Sequence, residues 1–387
     1  MTRPDFDVVV AGAGAGGAAA AYHLTRAGLR TLVVEKAHLP RYKACGGAIP
    51  RPALDDFPFD FEGVVAAEPA EVRFTFPGLA PVDLPLPDRP VVMVRRDRFD
   101  AYLLARAGAE VLEGLAVEGV VEDRDRVRVR AGGRTFTARY LVGADGAASG
   151  VARCLGLRRG RRLGGTLEAE VPLDGDGRLE ATYGRRAVFC MGALPWGYAW
   201  SFPKGDHLSV GIGRTRPGRA DLRAALEREM ARLGIPLDGA RLHGHPLPCY
   251  RIAPWPLWSA SRREPLATRR CLLVGDAAGL VEPLIGEGIR YAMTSARLAA
   301  QAIAAGDLAG YEASIWREVG HDLATAGLVA RIYYNLPRLS FQLGIRNPAT
   351  ICHFVAIMTG QASYVGIGRR VLLATARWLL RRGEEDV

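Results

Sequence analysis

A chain of 387 residues that is 49% hydrophobic can bury a sizeable core, enough for two or three structural units. Its 51 basic and 41 acidic side chains leave a formal charge of +10, but three of the basic residues are lysines (Lys36, Lys43, Lys204) and the other 48 are arginines, a skew of residue usage that argues against a nucleic-acid partner and marks the lysines as placed for chemistry. Six scattered cysteines without CxxC or metal-like spacing exclude a disulfide scaffold and fit a reducing cytoplasm, and no run approaches the ~18 apolar residues that span a bilayer.

Asp7–Ala11 predicts a short buried strand, residues 12–17 a turn, Ala18–Ala27 a helix ended by Gly28, and Arg30–Glu35 a second strand, a βαβ unit opening a parallel sheet. Asp5 and Asp7, ahead of the apolar segment Val8–Ala21, speak against a secretory signal. Pro50–Pro90, rich in proline and phenylalanine, reads as a connecting, partly extended excursion. Arg98–Gly108 predicts a helix and Glu110–Val142 short strands with a hairpin at Gly132-Gly133. Five β-type runs follow, Thr166–Val171, Leu179–Tyr183, Ala187–Leu194, Tyr198–Phe202 and Leu208–Ile212, an antiparallel sheet suited to wall a substrate site. A helix over Ala220–Leu233 and a proline-rich stretch, Pro246–Pro256, lead back to an apolar strand, Cys271–Val274. A helix over Arg290–Ala304 follows, and the remainder from Tyr311 is mostly helical. The expected fold is α/β: a discontinuous Rossmann-type dinucleotide-binding domain (1–56, 90–160 and 265–310), an inserted, mainly antiparallel β-sheet substrate domain (57–89 and 161–264), and a helical C-terminal region (311–387).

Gly12-Ala13-Gly14-Ala15-Gly16-Gly17 satisfies G-x-G-x-x-G between strand and helix, and Glu35 ends the second strand, followed by Lys36. Glycines at these positions let backbone approach a pyrophosphate, the helix N-terminus favours its charge, and the acid suits a ribose hydroxyl. Shortly after comes Lys43-Ala44-Cys45-Gly46-Gly47, a thiol between a lysine and two glycines that a generic nucleotide-binding domain does not need.

Leu141 to Ser149, containing Asp145-Gly146, and Leu273 to Gly279, containing Gly275-Asp276, resemble the second and third cofactor motifs of FAD-dependent oxidoreductases of the aromatic-hydroxylase type. That resemblance implies that Asp276 serves the flavin and that Arg96 contacts the cofactor, with Arg95 as the neighbouring alternative. Pro283, Gly286, Glu287, Gly288 and Ile289 would open the next helix beneath the ring, where free amides stabilise a reduced, anionic flavin. A second dinucleotide fingerprint is missing from the sequence, so electrons would come from an external donor, NADPH or a reduced carrier protein.

Taken with Gly197-Tyr198-Ala199-Trp200-Ser201-Phe202-Pro203-Lys204, the Cys-Gly-Gly element and Gly275 to Ile289, the chain resembles the geranylgeranyl reductase family. The resemblance extends to about residue 305 and implies saturation of isoprenoid double bonds by a hydride from reduced FAD plus a proton. Tyr198 and Trp200 alternate onto one strand face with Phe202 next, either to hold the chain over the ring or as sheet core. Cys45 either positions the alkene or relays a proton, or is a small buried hydrophobe beside the flavin. Substrates of the family type are isoprenoid lipids, prenylquinones and prenylated pigments. Ala48 after Cys-Gly-Gly departs from the lipid-reducing relatives, which carry a further glycine there.

Residues 365–382 place Arg370, Arg377 and Arg381 opposite Val371, Leu372, Trp378 and Leu379, a basic amphipathic helix that would lie on the cytoplasmic face of a membrane or pack on the body. His243 and His245 alternate on one strand without further ligands, so no metal site is expected. Two rival functions stay open: a flavin monooxygenase or halogenase, whose Trp-x-Trp-x-Ile-Pro element Tyr198 to Pro203 departs from, and a flavin-free prenyl-lipid escort.

Overall fold

Val8–Ala11 admit no polar side chain because both faces of their strand are covered. Phe6–Ala11 runs through the middle of a seven-stranded sheet in the computed structural model, which describes residues 4–158, 163–173, 177–238, 240–249 and 265–365. On one side it pairs in parallel with Thr31–Val34, which pairs with Glu110–Leu112. On the other it pairs with Arg134–Gly143. The far edge of Arg134–Gly143 serves two neighbours. Residues 134–138 pair antiparallel with Val127–Ala131, itself paired with Val117–Glu122, and residues 141–143 pair in parallel with Cys271–Leu273. The late strand is therefore an integral part of the first sheet. Helix Ala15–Arg26 starts three residues earlier than its pattern predicts, because Gly16 and Gly17 belong to its first turn. It packs against helix Ile289–Ala305.

A second seven-stranded sheet runs in the order His243–Leu247, Gly164–Pro172, His207–Arg214, Gly197–Pro203, Arg186–Leu194, Glu71–Phe76, Leu79–Pro85. Its pairs are antiparallel except the one joining Arg186–Leu194 to Glu71–Phe76. The excursion expected over Pro50–Pro90 thus supplies two of these strands, and Val65–Ala67 joins Ala48–Pro50 and Val91–Val94 in a three-stranded sheet. One expected strand is absent: Leu179–Tyr183 lies in an α-helix, Arg178–Tyr183. Leu179, Ala181 and Tyr183 alternate as in a strand, but Gly177, at φ +72, starts a helix that puts Leu179 and Tyr183, four apart, on one face and leaves Ala181 exposed.

Helices His321–Asn335 and Pro348–Met358 cover the second sheet. There Phe74, fully buried, stacks on Phe189 at 5.3 Å between ring centres and meets Phe354 at 5.9 Å. Among the described residues no helix is long and apolar enough to cross a membrane. The amphipathic segment expected over 365–382 lies, from residue 366 onward, outside the described residues, as do residues 250–256 of the proline-rich stretch.

Truncating Phe74 leaves a hole between sheet and helices. Phe74→Ala is expected to lower stability by about 3–5 kcal/mol, measured as a shift in the urea unfolding midpoint at unchanged slope.

Candidate active site

Helix Ala15–Arg26 begins at Gly14 with no side-chain cap and no acid in its first turn, so its first N–H groups and partial positive charge remain for an anion. The loop that delivers it cannot carry side chains. At Gly12, φ +97, a Cβ would lie 2.6 Å from the Ala144 carbonyl oxygen, and at Gly17 one would lie 1.9 Å from the Gly12 oxygen. Glu35 is buried and accepts the Ala13 N–H at 2.7 Å on Oε2 and the Ala37 N–H at 3.0 Å on Oε1, which fixes the loop and leaves each oxygen a second lone pair. Lys36 beside it is exposed.

A second uncapped helix end faces the same cleft. Ile289–Ala305 starts at Gly288, again without a side-chain cap or acid in its first turn. Between the two ends the cleft is lined by Gly14, Ala15, Gly16, Gly146, Gly275, Asp276, Gly286, Gly288 and Ile289, with Lys43, Cys45, Arg96 and His245. Arg96 is the arginine of its pair that reaches the cleft. It forms a two-pronged bond to fully buried Asp100, which Arg41 also contacts, whereas Arg95 turns to Asp97 and Asp206. Burial opposes ionisation of Asp276, but Lys43 and His245, each 3.6 Å away, hold its carboxyl well below the usual carboxylate range. Asp145 accepts the Val151 N–H on Oδ2, while its buried Oδ1 has no partner. Ala144 and Gly146 line the cleft while the Asp145 side chain does not; two free helix ends, a buried arginine and the Asp276 carboxylate fit the phosphates and hydroxyls of a dinucleotide such as FAD.

The loop 282–288 closes this cleft from behind. Glu282, fully buried, accepts the Leu284 and Ile285 N–H groups at 2.7 and 2.6 Å, while the Tyr334 and Tyr198 hydroxyls donate to the carbonyls of the same two residues. Burial pushes the Glu282 carboxyl up to about 7. Pro283 is buried within the loop, and Glu287 is bound two-pronged by Arg290.

Cys45 stands where three cavities meet: the dinucleotide cleft, a larger apolar cavity and a small polar one. The apolar cavity is walled by Tyr198, Trp200 and Phe202, successive on one strand face, with Phe189 packed at 5.0 Å from Phe202. These aromatics are both buried and cavity-lining, so the two sequence readings are not exclusive. A Cβ at Gly46 would sit 3.0 Å from the Phe202 ring. At Gly47, φ +65, one would sit 2.1 Å from Lys204 Nζ. The Lys204 ammonium is buried and donates to the Val94 carbonyl at 2.6 Å; burial pulls it down to about 8 although Cys45 and Glu168 act the other way. Lys43 and Lys204 thus both occupy sites fixed by specific partners.

Several lining residues escape sequence reasoning. His245, paired to Asp276, borders both larger cavities. Its signal was alternation with His243, read there against a metal site rather than as a carboxylate partner. Met358, Val355 and Thr359 wall the far part of the apolar cavity from the C-terminal helices, for which composition suggests only packing. Glu168 is 3% exposed in the cavity-facing strand Gly164–Pro172, although its alternation with Leu167, Ala169 and Val171 puts it on the polar phase with Thr166 and Glu170, which in the sequence reads as a solvent face.

Residues 6–185 match the pyridine nucleotide-disulphide oxidoreductase family. The chain is 34% identical over 329 residues to a chloroplastic geranylgeranyl diphosphate reductase of Oryza sativa subsp. japonica, covering 78% of this chain and 67% of that one. It is 31% identical to a menaquinone reductase of Mycolicibacterium smegmatis, covering 80% and 79%. A crystal structure described as geranylgeranyl bacteriochlorophyll reductase-like, from Thermoplasma acidophilum, superposes with a TM-score of 0.75 at 25% identity over 96% of both chains. A flavin-dependent brominase shares the fold alone, with a TM-score of 0.70 at 20% identity over 98% of this chain and 99% of that one.

The raised carboxyl of Glu282 has a consequence for stability. The folded state keeps its proton where the unfolded chain has released it, so the contribution is complete below 4.5 and is lost as pH rises through about 7. Glu282→Gln is expected to flatten the fall in unfolding midpoint across that window, measured by denaturant titration at several pH values beside the parent.

Proposed function

The chain belongs to the geranylgeranyl reductase family of FAD-dependent oxidoreductases acting on carbon–carbon double bonds, and from that premise we propose that it saturates an isoprenoid chain of the geranylgeranyl type. The observation that carries the proposal is the opening of the apolar, aromatic-walled cavity onto the dinucleotide cleft at Cys45, Gly286 and Gly288. An isolated alkene has no carbonyl to polarise, so its reduction needs a dry site in which hydride and proton arrive at neighbouring carbons.

Bound FAD, once reduced, supplies the hydride. Gly14, Ala15 and Gly16 would hold its pyrophosphate, Arg96 would add a fixed cation beside them, Gly146 would let the ring side approach the backbone, and Asp276 would accept hydroxyls of its ribityl region. The amides at Gly288 and Ile289 would steady negative charge on the reduced ring. Tyr198, Trp200 and Phe202 would hold the chain of the lipid, with Tyr198 also tied to the Ile285 carbonyl of the loop that leads into the second helix. Cys45 would touch both ring and alkene. The names of the relatives support a prenyl diphosphate or a prenylquinone as substrate class, and an external donor, NADPH or a reduced carrier protein, would reload the cofactor.

Anaerobically reduced protein mixed with geranylgeranyl diphosphate is expected to return to oxidised flavin with formation of a more saturated lipid, read by absorbance and mass spectrometry. Flavin that stays reduced until oxygen is admitted would place the chain with the monooxygenases and halogenases, and colourless protein that takes up no flavin would make it a lipid escort. Cys45→Ala is expected to keep FAD and to slow reduction or alter which bonds are reduced; parent-like rates and product patterns would leave the thiol a packing group.

A further inference from the structure

Resting on the prenyl-reductase reading, we propose that Glu168 is the acid that supplies the proton for alkene reduction, reloaded from solvent through the small polar cavity behind Cys45. Glu168 borders both the apolar and the polar cavity, so its carboxyl has a substrate side and a solvent side. Its two oxygens are not equivalent. Oε1 accepts the Ser209 hydroxyl at 2.6 Å, and Ser209 accepts the Trp200 indole N–H at 3.2 Å, so the carboxyl is tied to the aromatic wall. Oε2 is buried and accepts no hydrogen bond of normal geometry among the described residues, the Cys45 amide being the one backbone donor that faces the carboxyl. A buried carboxylate oxygen without a well-placed donor is costly, and a proton on Oε2 removes that cost.

The surroundings favour a stored proton over a permanent charge. Lys204 and the backbone amide of Cys45 face the carboxyl and favour its ionised form, whereas Glu170 on the same strand opposes it; Tyr42, Lys43, Arg95, Arg96, Asp97 and His207 line the same polar cavity, and His243 lies opposite Glu168 in the strand register. The two nearest arginines are committed to Asp97, Asp206 and Asp100. Burial outweighs the favourable contacts and pushes the Glu168 carboxyl above the usual range. On the solvent side His207 bonds Asp206 at 2.6 Å and stands 3.5 Å from Glu170, and Asp206 is exposed, so titratable groups run from the surface to the cavity that Glu168 borders.

In the step, the hydride delivered by the reduced cofactor forms one C–H bond. The alkene's π pair forms the second by taking the proton from Glu168 Oε2, whose O–H bond breaks to leave a carboxylate. The alkene gains two electrons and the flavin loses two. Water in the polar cavity then returns the proton from the His207 and Glu170 side.

The test uses flavin-loaded protein with geranylgeranyl diphosphate. Glu168→Gln is expected to keep the parent's flavin affinity and to slow anaerobic reoxidation of the reduced flavin by about 10²–10⁴-fold, with partial recovery in Glu168→Asp. The parent's rate should fall as pH rises and the acid is spent, a limb that vanishes in Glu168→Gln. Ser209→Ala, which removes a bond favouring the carboxylate, should move that limb to higher pH and serves if Glu168→Gln fails to fold. A readout apart from turnover is the infrared carbonyl band of a protonated carboxyl, present and titrating in the parent and missing in Glu168→Gln. Parent-like rate and pH profile in Glu168→Gln, an unmoved limb in Ser209→Ala, or identical infrared titrations would each overturn the proposal. A parent whose flavin stays reduced in the presence of this alkene overturns the prenyl-reductase reading instead, and the infrared comparison still decides whether Glu168 stores a proton.

Discussion

Two helix N-termini share one cleft because Gly16 and Gly275 meet only the small side chain of Ala292 where the second helix begins. A Cβ at Gly16 would already touch Ala292 at 3.4 Å, and one at Gly275 would approach the Ala292 side chain at 2.8 Å. Close backbone approach brings Gly14 and Gly288 to face each other across the cleft, and a larger residue at any of these contacts would push the two helix ends apart. The rest of the site hangs on this contact. Asp276 follows Gly275, the loop 282–288 leads into the second helix, and the Cys45 segment is fitted over both.

The cofactor half of the site is legible in the sequence because its constraints are local. Glycines at fixed spacing, a strand ahead and an acid after the next strand form a short-range pattern, in which a Cβ at Gly17 would collide with the Gly12 oxygen and Glu35 pairs the Ala13 amide, although the contact that demands Gly12 comes from distant Ala144. The strand carrying Tyr198, Trp200 and Phe202 is legible for a similar reason, since alternation survives in any sheet. Leu179–Tyr183 failed because the alternation of Leu179, Ala181 and Tyr183 also fits a short helix that buries Tyr183 and leaves Ala181 exposed. Pro50–Pro90 hid two strands of the larger sheet because Glu71–Phe76 pairs with Arg186–Leu194, more than a hundred residues away, and its hairpin partner, the edge strand Leu79–Pro85, carries Pro81 and Pro85. His245, Glu168 and Met358 were invisible for the same cause: each owes its place to contacts between distant segments.

The charged groups around Cys45 are arranged for chemistry more than for stability. Arg96 with Asp100, Lys204 against the Val94 carbonyl, and Asp276 between Lys43 and His245 all pay desolvation that an apolar core would avoid. Their common effect is to fix charges of known sign around a thiol that borders an apolar cavity, where fields are weakly screened. Fold stability resides elsewhere, in the aliphatic centre of the first sheet and the aromatic layer between the second sheet and its helices.

The strand Arg134–Gly143, with its far edge shared between an early hairpin and the late segment Cys271–Leu273, also sets an order of events during synthesis. The emerging N-terminal half can pair its first strands and close the hairpin, but half of that edge waits for residues that leave the ribosome some 130 positions later. Until then one helix end faces an unfinished cleft. A cofactor held between both helix ends would therefore be retained only by a chain made through Gly288 and joined to its beginning.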